Sequence, residues 1–241
     1  MTAKNPVDEA GEESFPASDA TTFHVISSEL PVVPSLYVLP PLAFDYNSLE
    51  PVIDEETMHL HHDKHHRAYV AGLNKGLDGH PEWSALPIDD LMRRLSDIPK
   101  DIHNAVRNQG GGHANHALFW RTLTPHGHQE PGGALAEAIV REFGSLSAFK
   151  AAFKVAGVSH FGSGWVFLST DPNSNFRLSI VALPNQDTPL SSGSEPLLAC
   201  DLWEHAYYLK YNNRRADWLD AFWDVVDWRS VGDAFDRARD V

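Results

Sequence analysis

Three short stretches of this chain concentrate side chains able to hold a metal ion. The first, His59-Leu60-His61-His62-Asp63-Lys64-His65-His66-Arg67-Ala68-Tyr69, is crowded with imidazoles. On a helix, residues one turn apart share a face, so His61, His65 and Tyr69 line up while His62 and His66 form a neighbouring stripe. The second, Gly112-His113-Ala114-Asn115-His116-Ala117-Leu118-Phe119-Trp120, places Trp120 one turn after His116 and His113 one turn before it. The third, Asp201-Leu202-Trp203-Glu204-His205-Ala206-Tyr207-Tyr208, puts a carboxylate and an imidazole where a strand passes into a helix. Each stretch also has a bland use: a solvated His-rich face, core packing of His and Trp, or an N-cap for Asp201. Together they offer three imidazoles and one carboxylate from separated parts of the chain, a donor set suited to a borderline divalent ion or to iron. A bulky aromatic beside each candidate ligand can wall such an ion from water.

The elements that must position these residues divide the chain. Residues 1–35 are rich in Pro, Ser, Thr and acidic side chains without periodicity, and read as a flexible acidic arm. Helical patterns then cover Met58 to about Gly72, with Asp54, Glu55 and Glu56 in an early turn, followed by Ile88 to Leu95 and Asp101 to Leu123. Gly110, Gly111 and Gly112 interrupt the last of these and predict a kink or a close approach to another backbone. The Pro-, Gly- and His-rich stretch from Thr124 to Gly133 reads as a linker, giving a helical domain over 36–125 and a second domain over 126–241. Helices are expected there at Ala134 to Phe143, Ser147 to Val158, Glu204 to Tyr211 and Ala216 to Trp228. Strands are expected at Gly164 to Thr170, Phe176 to Leu183 and Pro196 to Leu202, so this half is α+β with a small antiparallel sheet.

A formal net charge of -14 argues against nonspecific nucleic-acid binding and against an anionic membrane surface. No run of about 18 apolar residues predicts a membrane span. Cys200 is the single cysteine, so no intrachain disulfide is possible; with no signal or transit pattern over Met1 to Glu13, a cytoplasmic setting is expected.

These motifs resemble the iron/manganese superoxide dismutases. The resemblance is carried by His61-His62-Asp63-Lys64-His65-His66 with Tyr69, by Gly111-Gly112-His113-Ala114-Asn115-His116 with Trp120, by Phe161-Gly162-Ser163-Gly164-Trp165, by Asn185-Gln186-Asp187, and by Asp201 through Tyr208. They follow one another in family order over about Leu36 to Val231. The resemblance implies an antiparallel helical hairpin followed by an α/β domain with a three-stranded antiparallel sheet. It implies metal ligands at His61, His116, Asp201 and His205, with a solvent molecule completing the coordination. It also implies His65 and Tyr69 at the mouth of a substrate channel, Gln186 bonded to that solvent, and Trp120, Trp165 and Trp203 lining the pocket. Glu204 and Tyr208 would meet a partner subunit in a homodimer, which can pair further into a tetramer. Lys64 and Arg215 would flank the channel and draw the superoxide anion in against the overall charge; their bland use is as members of surface ion pairs.

The resemblance favours manganese, with iron as the alternative and one ion per subunit, because Gly110-Gly111-Gly112 and the late Gln186 match the manganese subgroup. Two features depart from the pattern: Phe167 stands where many manganese members carry tryptophan, and the arm is not a family feature. A mononuclear metal hydrolase would share the donors, but no second histidine lies at a zincin spacing from His205. A non-catalytic protein of the same fold would be expected to have lost a ligand or Gln186.

Overall fold

The structure, a computed structural model, describes residues 37–127 and 130–240, so the arm expected at 1–35 lies outside the described residues. Two long helices form the first half: α1 over 55–76 and, after the short α2 (Ile88–Arg93), α3 over 100–121. Helix α1 starts where Asp54 does because its extended backbone lets the carboxylate accept the Thr57 N–H at 2.8 Å. Glu55 and Glu56 follow in the first turn, at the positive end of the helix dipole. Both long helices widen locally into π-type turns, α1 over His61–His66 and α3 over Val106–Gly110. Such widening re-aims side chains and is common where they act.

The helices run antiparallel. Gly76 faces Ala105, Gly72 faces Gln109, Gly112 faces Tyr69, and His66 faces His113. Leu73, Leu77, Leu91, Met92, Ile102 and Val106 are buried together with Trp83 between α1, α2 and α3. Burial of each such side chain is worth about 1.5–3 kcal/mol.

The second half contains α4 (Gly133–Phe143), α5 (Leu146–Ser159), the strands β1 (Gly164–Asp171), β2 (Arg177–Pro184) and β3 (Glu195–Asp201), then α6 (Arg215–Ala221) and α7 (Trp228–Arg239). Gly144, at φ 85°, ends α4, and Ser145 caps α5 by accepting the Ala148 N–H at 3.0 Å. The sheet order is β2-β1-β3 with antiparallel pairing throughout. Central β1 is buried on both faces, which is why it reads as an apolar run rather than an alternation. Its register sets Gly164 opposite Pro184 and Trp165 opposite both Leu183 and Asp201. The start of β1 and the ends of β2 and β3 therefore share one end of the sheet. Phe119 of α3 joins Phe149, Phe153, Trp165, Trp218, Phe222 and Trp228 in one buried cluster that ties the two halves together.

Two helical expectations are corrected. The helix expected over 204–211 is a tight turn, Glu204–Ala206, and a separate single turn, Tyr208–Tyr211, divided at Tyr207 with φ -144°. The helix expected from Ala216 to Trp228 ends at Ala221, tightens through Phe222–Asp224 and gives way to α7. Asp227 restarts the helix by accepting the N–H groups of Arg229 and Ser230, and Trp228, Val231 and Phe235 bury its inner face.

Candidate metal centre

His61 comes from the widened part of α1, His116 from α3, Asp201 from the last residue of β3 and His205 from the tight turn after it. Their donor atoms lie within 4.8 Å of one another. Asp201 Oδ2 is 3.0 Å from His61 Nε2, 3.3 Å from His205 Nε2 and 3.9 Å from His116 Nε2. Donors around a single ion at about 2.1 Å sit about 3–4 Å apart, and the three separations from Asp201 fall in that range, so a small closure of the set suits one ion.

Hydrogen bonding supports that fit. The Nε2 atoms of His61, His116 and His205 and the Oδ2 of Asp201 are buried, and none is aimed as a hydrogen bond at any described group. Buried polar atoms without partners are costly, and four of them converging on one point are the mark of a ligand sphere. The opposite ends of two ligands are fixed. His116 Nδ1–H donates to the Gly112 carbonyl at 2.6 Å, which leaves the lone pair on Nε2. Asp201 Oδ1 accepts the Trp203 N–H at 2.8 Å while the Asp201 carbonyl accepts Trp218 Nε1–H at 2.8 Å, so only Oδ2 is spare. Asp201 therefore holds the backbone at Trp203, just before the tight turn, and offers a ligand atom at the same time.

Burial pushes His61 down to about 4 and His116 well below the ordinary imidazole value, so both are neutral near pH 7, as ligation requires. Burial alone would raise Asp201, but His205 and His61 outweigh it and hold the carboxyl below the usual carboxylate range.

Aromatic rings enclose the donors. Trp120 stands edge-on to His61 at 4.8 Å, Trp165 edge-on to His116 at 5.0 Å, and Trp203 stacks on His205 at 5.6 Å. Phe167 is fully buried behind Trp165, where its ring keeps the aromatic bulk. His65 is half-buried and stacks on His205 at 4.0 Å; burial, and then His205, lower its pKa. Gln186 donates from Nε2 to the Tyr69 hydroxyl at 3.0 Å and accepts Trp165 Nε1–H on Oε1 at 2.9 Å.

No role was legible in the sequence for Arg107, Asn115 and Asp187, which hold Gln186 in place. Arg107 on α3 forms a two-bond fork with Asp187 at 2.7 Å, and Asn115 Nδ2 donates to the carbonyls of Gln186 and Asp187 at 3.2 and 3.3 Å. Gly111 lets the same carbonyl approach: an added Cβ would lie 2.1 Å from Gln186 O. The glycine interruption thus brings α3 against another backbone, and Asn115, polar in a buried helix face, was the readable signal.

The remaining expected residues lie farther out. Lys64 is exposed, within the widened segment His61–His66. Among the described residues Arg215 joins no ion pair: it donates to the carbonyls of His160, Gly162 and Leu202 at 2.7–3.0 Å and to the Tyr207 hydroxyl at 3.2 Å. Glu204 is exposed, and so are Tyr208, Leu209, Leu60 and Phe161. Among the described residues no helix is long and apolar enough to cross a membrane.

An antiparallel helical hairpin and an α+β half that meet at a buried three-histidine, one-aspartate cluster define a mononuclear metalloprotein. Residues 36–124 match the profile for iron/manganese superoxide dismutases, alpha-hairpin domain, and residues 131–234 match the profile for their C-terminal domain. The chain is 49% identical over 203 residues to a protein of Listeria innocua named "Superoxide dismutase [Mn]", covering 84% of this chain and 99% of that one. It is 48% identical to "Superoxide dismutase [Mn/Fe]" of Methylomonas sp. (strain J), over 84% of this chain and 98% of that protein. It is 47% identical to "Superoxide dismutase [Mn]" of Thermus thermophilus, over 86% of this chain and all of that protein. The chain belongs to the iron/manganese superoxide dismutase family.

Proposed function

We propose that this chain disproportionates superoxide to oxygen and hydrogen peroxide at one manganese or iron ion held by His61, His116, Asp201 and His205. The observation that carries this reading is the convergence of four unpartnered donor atoms, in a member of this family. When bound, the ion supplies alternating one-electron oxidation and reduction, so one superoxide leaves as oxygen and the next as peroxide.

The protein's own residues do the rest. Trp120, Trp165 and Trp203 keep bulk water from the ligands, and the hydrogen bonds to Gly112 and Trp203 fix His116 and Asp201. Forming peroxide consumes two protons, and Tyr69 and Gln186 form the chain that delivers them. Gln186 gives a hydrogen to the phenol oxygen, which leaves the Tyr69 proton free to be donated. Burial, then Asp201, raise the Tyr69 pKa, so the phenol keeps that proton at neutral pH. His65 and Tyr69 border the channel mouth, and Lys64 and Arg215 draw the anion toward it.

Manganese is the preferred metal. A Cβ at Gly112 would strike the Tyr69 ring at 2.5 Å, so the amide beside Tyr69 comes from Gln186 of the later half. The domains are taken as 36–125 and 126–241, two ligands from each, so binding the ion clamps them together. Glu204 and Tyr208 are assigned to a homodimer contact, supported by the exposed apolar Leu209 next to Tyr208 and by Leu60, which lines the same surface hollow as Leu209; a tetramer would pair two such dimers. A reducing, cytoplasmic compartment suits a chain whose one cysteine is a buried free thiol. Loading the protein separately with manganese, iron and zinc tests the reading. Superoxide consumption is expected with manganese or iron and absent with zinc; full manganese and iron loading without activity would refute it.

A further inference from the structure

His66 is no ligand, yet it is fully buried between α1 and α3 and three contacts meet on it. Trp120 Nε1–H donates to its Nδ1 at 3.1 Å. Its Nε2 lies 2.8 Å from Nδ1 of His113. Its ring lies 5.3 Å from that of His116, with 22° between the planes. An indole N–H can only donate, so Nδ1 of His66 carries no proton. The proton of the neutral ring is then on Nε2 and is donated to His113. The direction Trp120 to His66 to His113 is therefore set by the chemistry of its first member.

Trp120 is the indole that stands edge-on to His61, at 4.8 Å and 70°. One imidazole thus reaches two of the metal ligands, His116 by stacking and His61 through a single indole. A buried polar chain costs desolvation that a leucine in the same volume would not. Such a chain restricts its members to one orientation, which plain packing does not do. Groups that orient ligands from behind commonly change metal affinity about 10–100-fold when removed.

We propose that His66 is a positioning residue for the metal centre: by accepting the Trp120 indole N–H and stacking on His116, it sets the orientation of the imidazoles of His61 and His116, while His113 holds it in the required tautomer. The inference rests on the proposed occupation of that centre by manganese or iron.

The test compares His66→Leu and His66→Gln in the manganese-loaded holoprotein, reading the electron paramagnetic resonance and visible spectra of the metal and its rate of release to a chelator. Leucine fills the volume without hydrogen bonds; glutamine can accept from Trp120 and donate to His113. The leucine variant is expected to show altered metal spectra and release about 10-fold faster or more, and the glutamine variant to stay close to wild type. Wild-type spectra and release in the leucine variant would overturn the inference, as would equal damage in both variants, which marks simple packing. If the leucine variant does not fold, Trp120→Phe decides: altered metal spectra support the inference, and unchanged spectra overturn it. A wild-type chain that takes up neither manganese nor iron overturns the proposed function and this inference together, whereas a loaded, active wild type with insensitive variants overturns the inference alone.

Discussion

Gln186 and Tyr69 stand 117 positions apart in the chain and meet at 3.0 Å, with the carboxamide donating to the phenol oxygen. Trp165 occupies the other end of the carboxamide at 2.9 Å, and because an indole can only donate, the amide has one allowed orientation. A helix of the hairpin and the turn after β2 are joined by this bond beside the metal donors.

Replacing Gln186 by leucine removes both bonds. Hydrogen bonds between neutral groups such as these are worth about 0.5–1.5 kcal/mol, which for a one-electron couple corresponds to roughly 20–65 mV. A shift of that size in the metal potential, with turnover lowered at least about 10-fold, is expected from a mediated redox titration and a superoxide assay. An unchanged potential would reduce Gln186 to a filler of space.

Gly111→Ala places a Cβ 2.1 Å from the Gln186 carbonyl oxygen, a backbone atom held by Asn115 that cannot swing aside. Overpacking of this kind costs about 1–3 kcal/mol or more. At roughly 2–4 °C per kcal/mol for a chain of this size, thermal denaturation should show a fall of several degrees. A variant as stable as the parent would mean that the contact is readily relieved.

Arg215 combines charge with a fork that joins residues 160–162 to 202–207. Lysine keeps the charge and loses the fork; leucine loses both. Both variants should lose about 1–3 kcal/mol in denaturant titrations, but only the leucine variant should show a weaker salt dependence of the superoxide reaction. Equal salt dependence in all forms would assign Arg215 to structure alone.

Acidification should destabilise the metal-free protein. Burial lowers His61 and His113 to about 4 and His66 to about 2, against an ordinary imidazole near 6.5. The unfolded chain takes up these protons from about pH 6.5 downward while the folded chain resists them, so the stability is complete above that pH and is lost as pH falls toward 4. Each histidine contributes at most about 1.4 kcal/mol per pH unit. Asp201 acts in the other range: its lowered pKa adds stability that is present above the unfolded carboxyl value of 3.8 and is lost only in stronger acid. Urea midpoints at pH 7, 6 and 5 should decline steadily, and a flat series would contradict the neutral state of these rings.

The donors of the site were legible in the sequence because each of His61, His116, Asp201 and His205 sits in a dense local motif. The strands were legible within about a residue at each end, since their apolar runs are bounded by turn residues. What was not legible depends on contacts made in space. The fork between Arg107 and Asp187 spans 80 positions and the bond between His66 and His113 spans 47. Local geometry was also hidden. A pattern with period 3.6 could not reveal the widened turns at His61–His66, nor the break at Tyr207 that follows the tight turn Glu204–Ala206. Helix α7 was missed because only Trp228, Val231 and Phe235 are buried along a strongly charged segment.

The proposed reaction requires one redox-active ion among the four donor side chains. Anomalous scattering measured at the manganese and iron absorption edges, on crystals of the loaded protein, locates that ion directly. One peak per chain, within ligand distance of His61, His116, Asp201 and His205, is the predicted result. A peak elsewhere, or a density at this place that scatters anomalously only at the zinc edge, would contradict it.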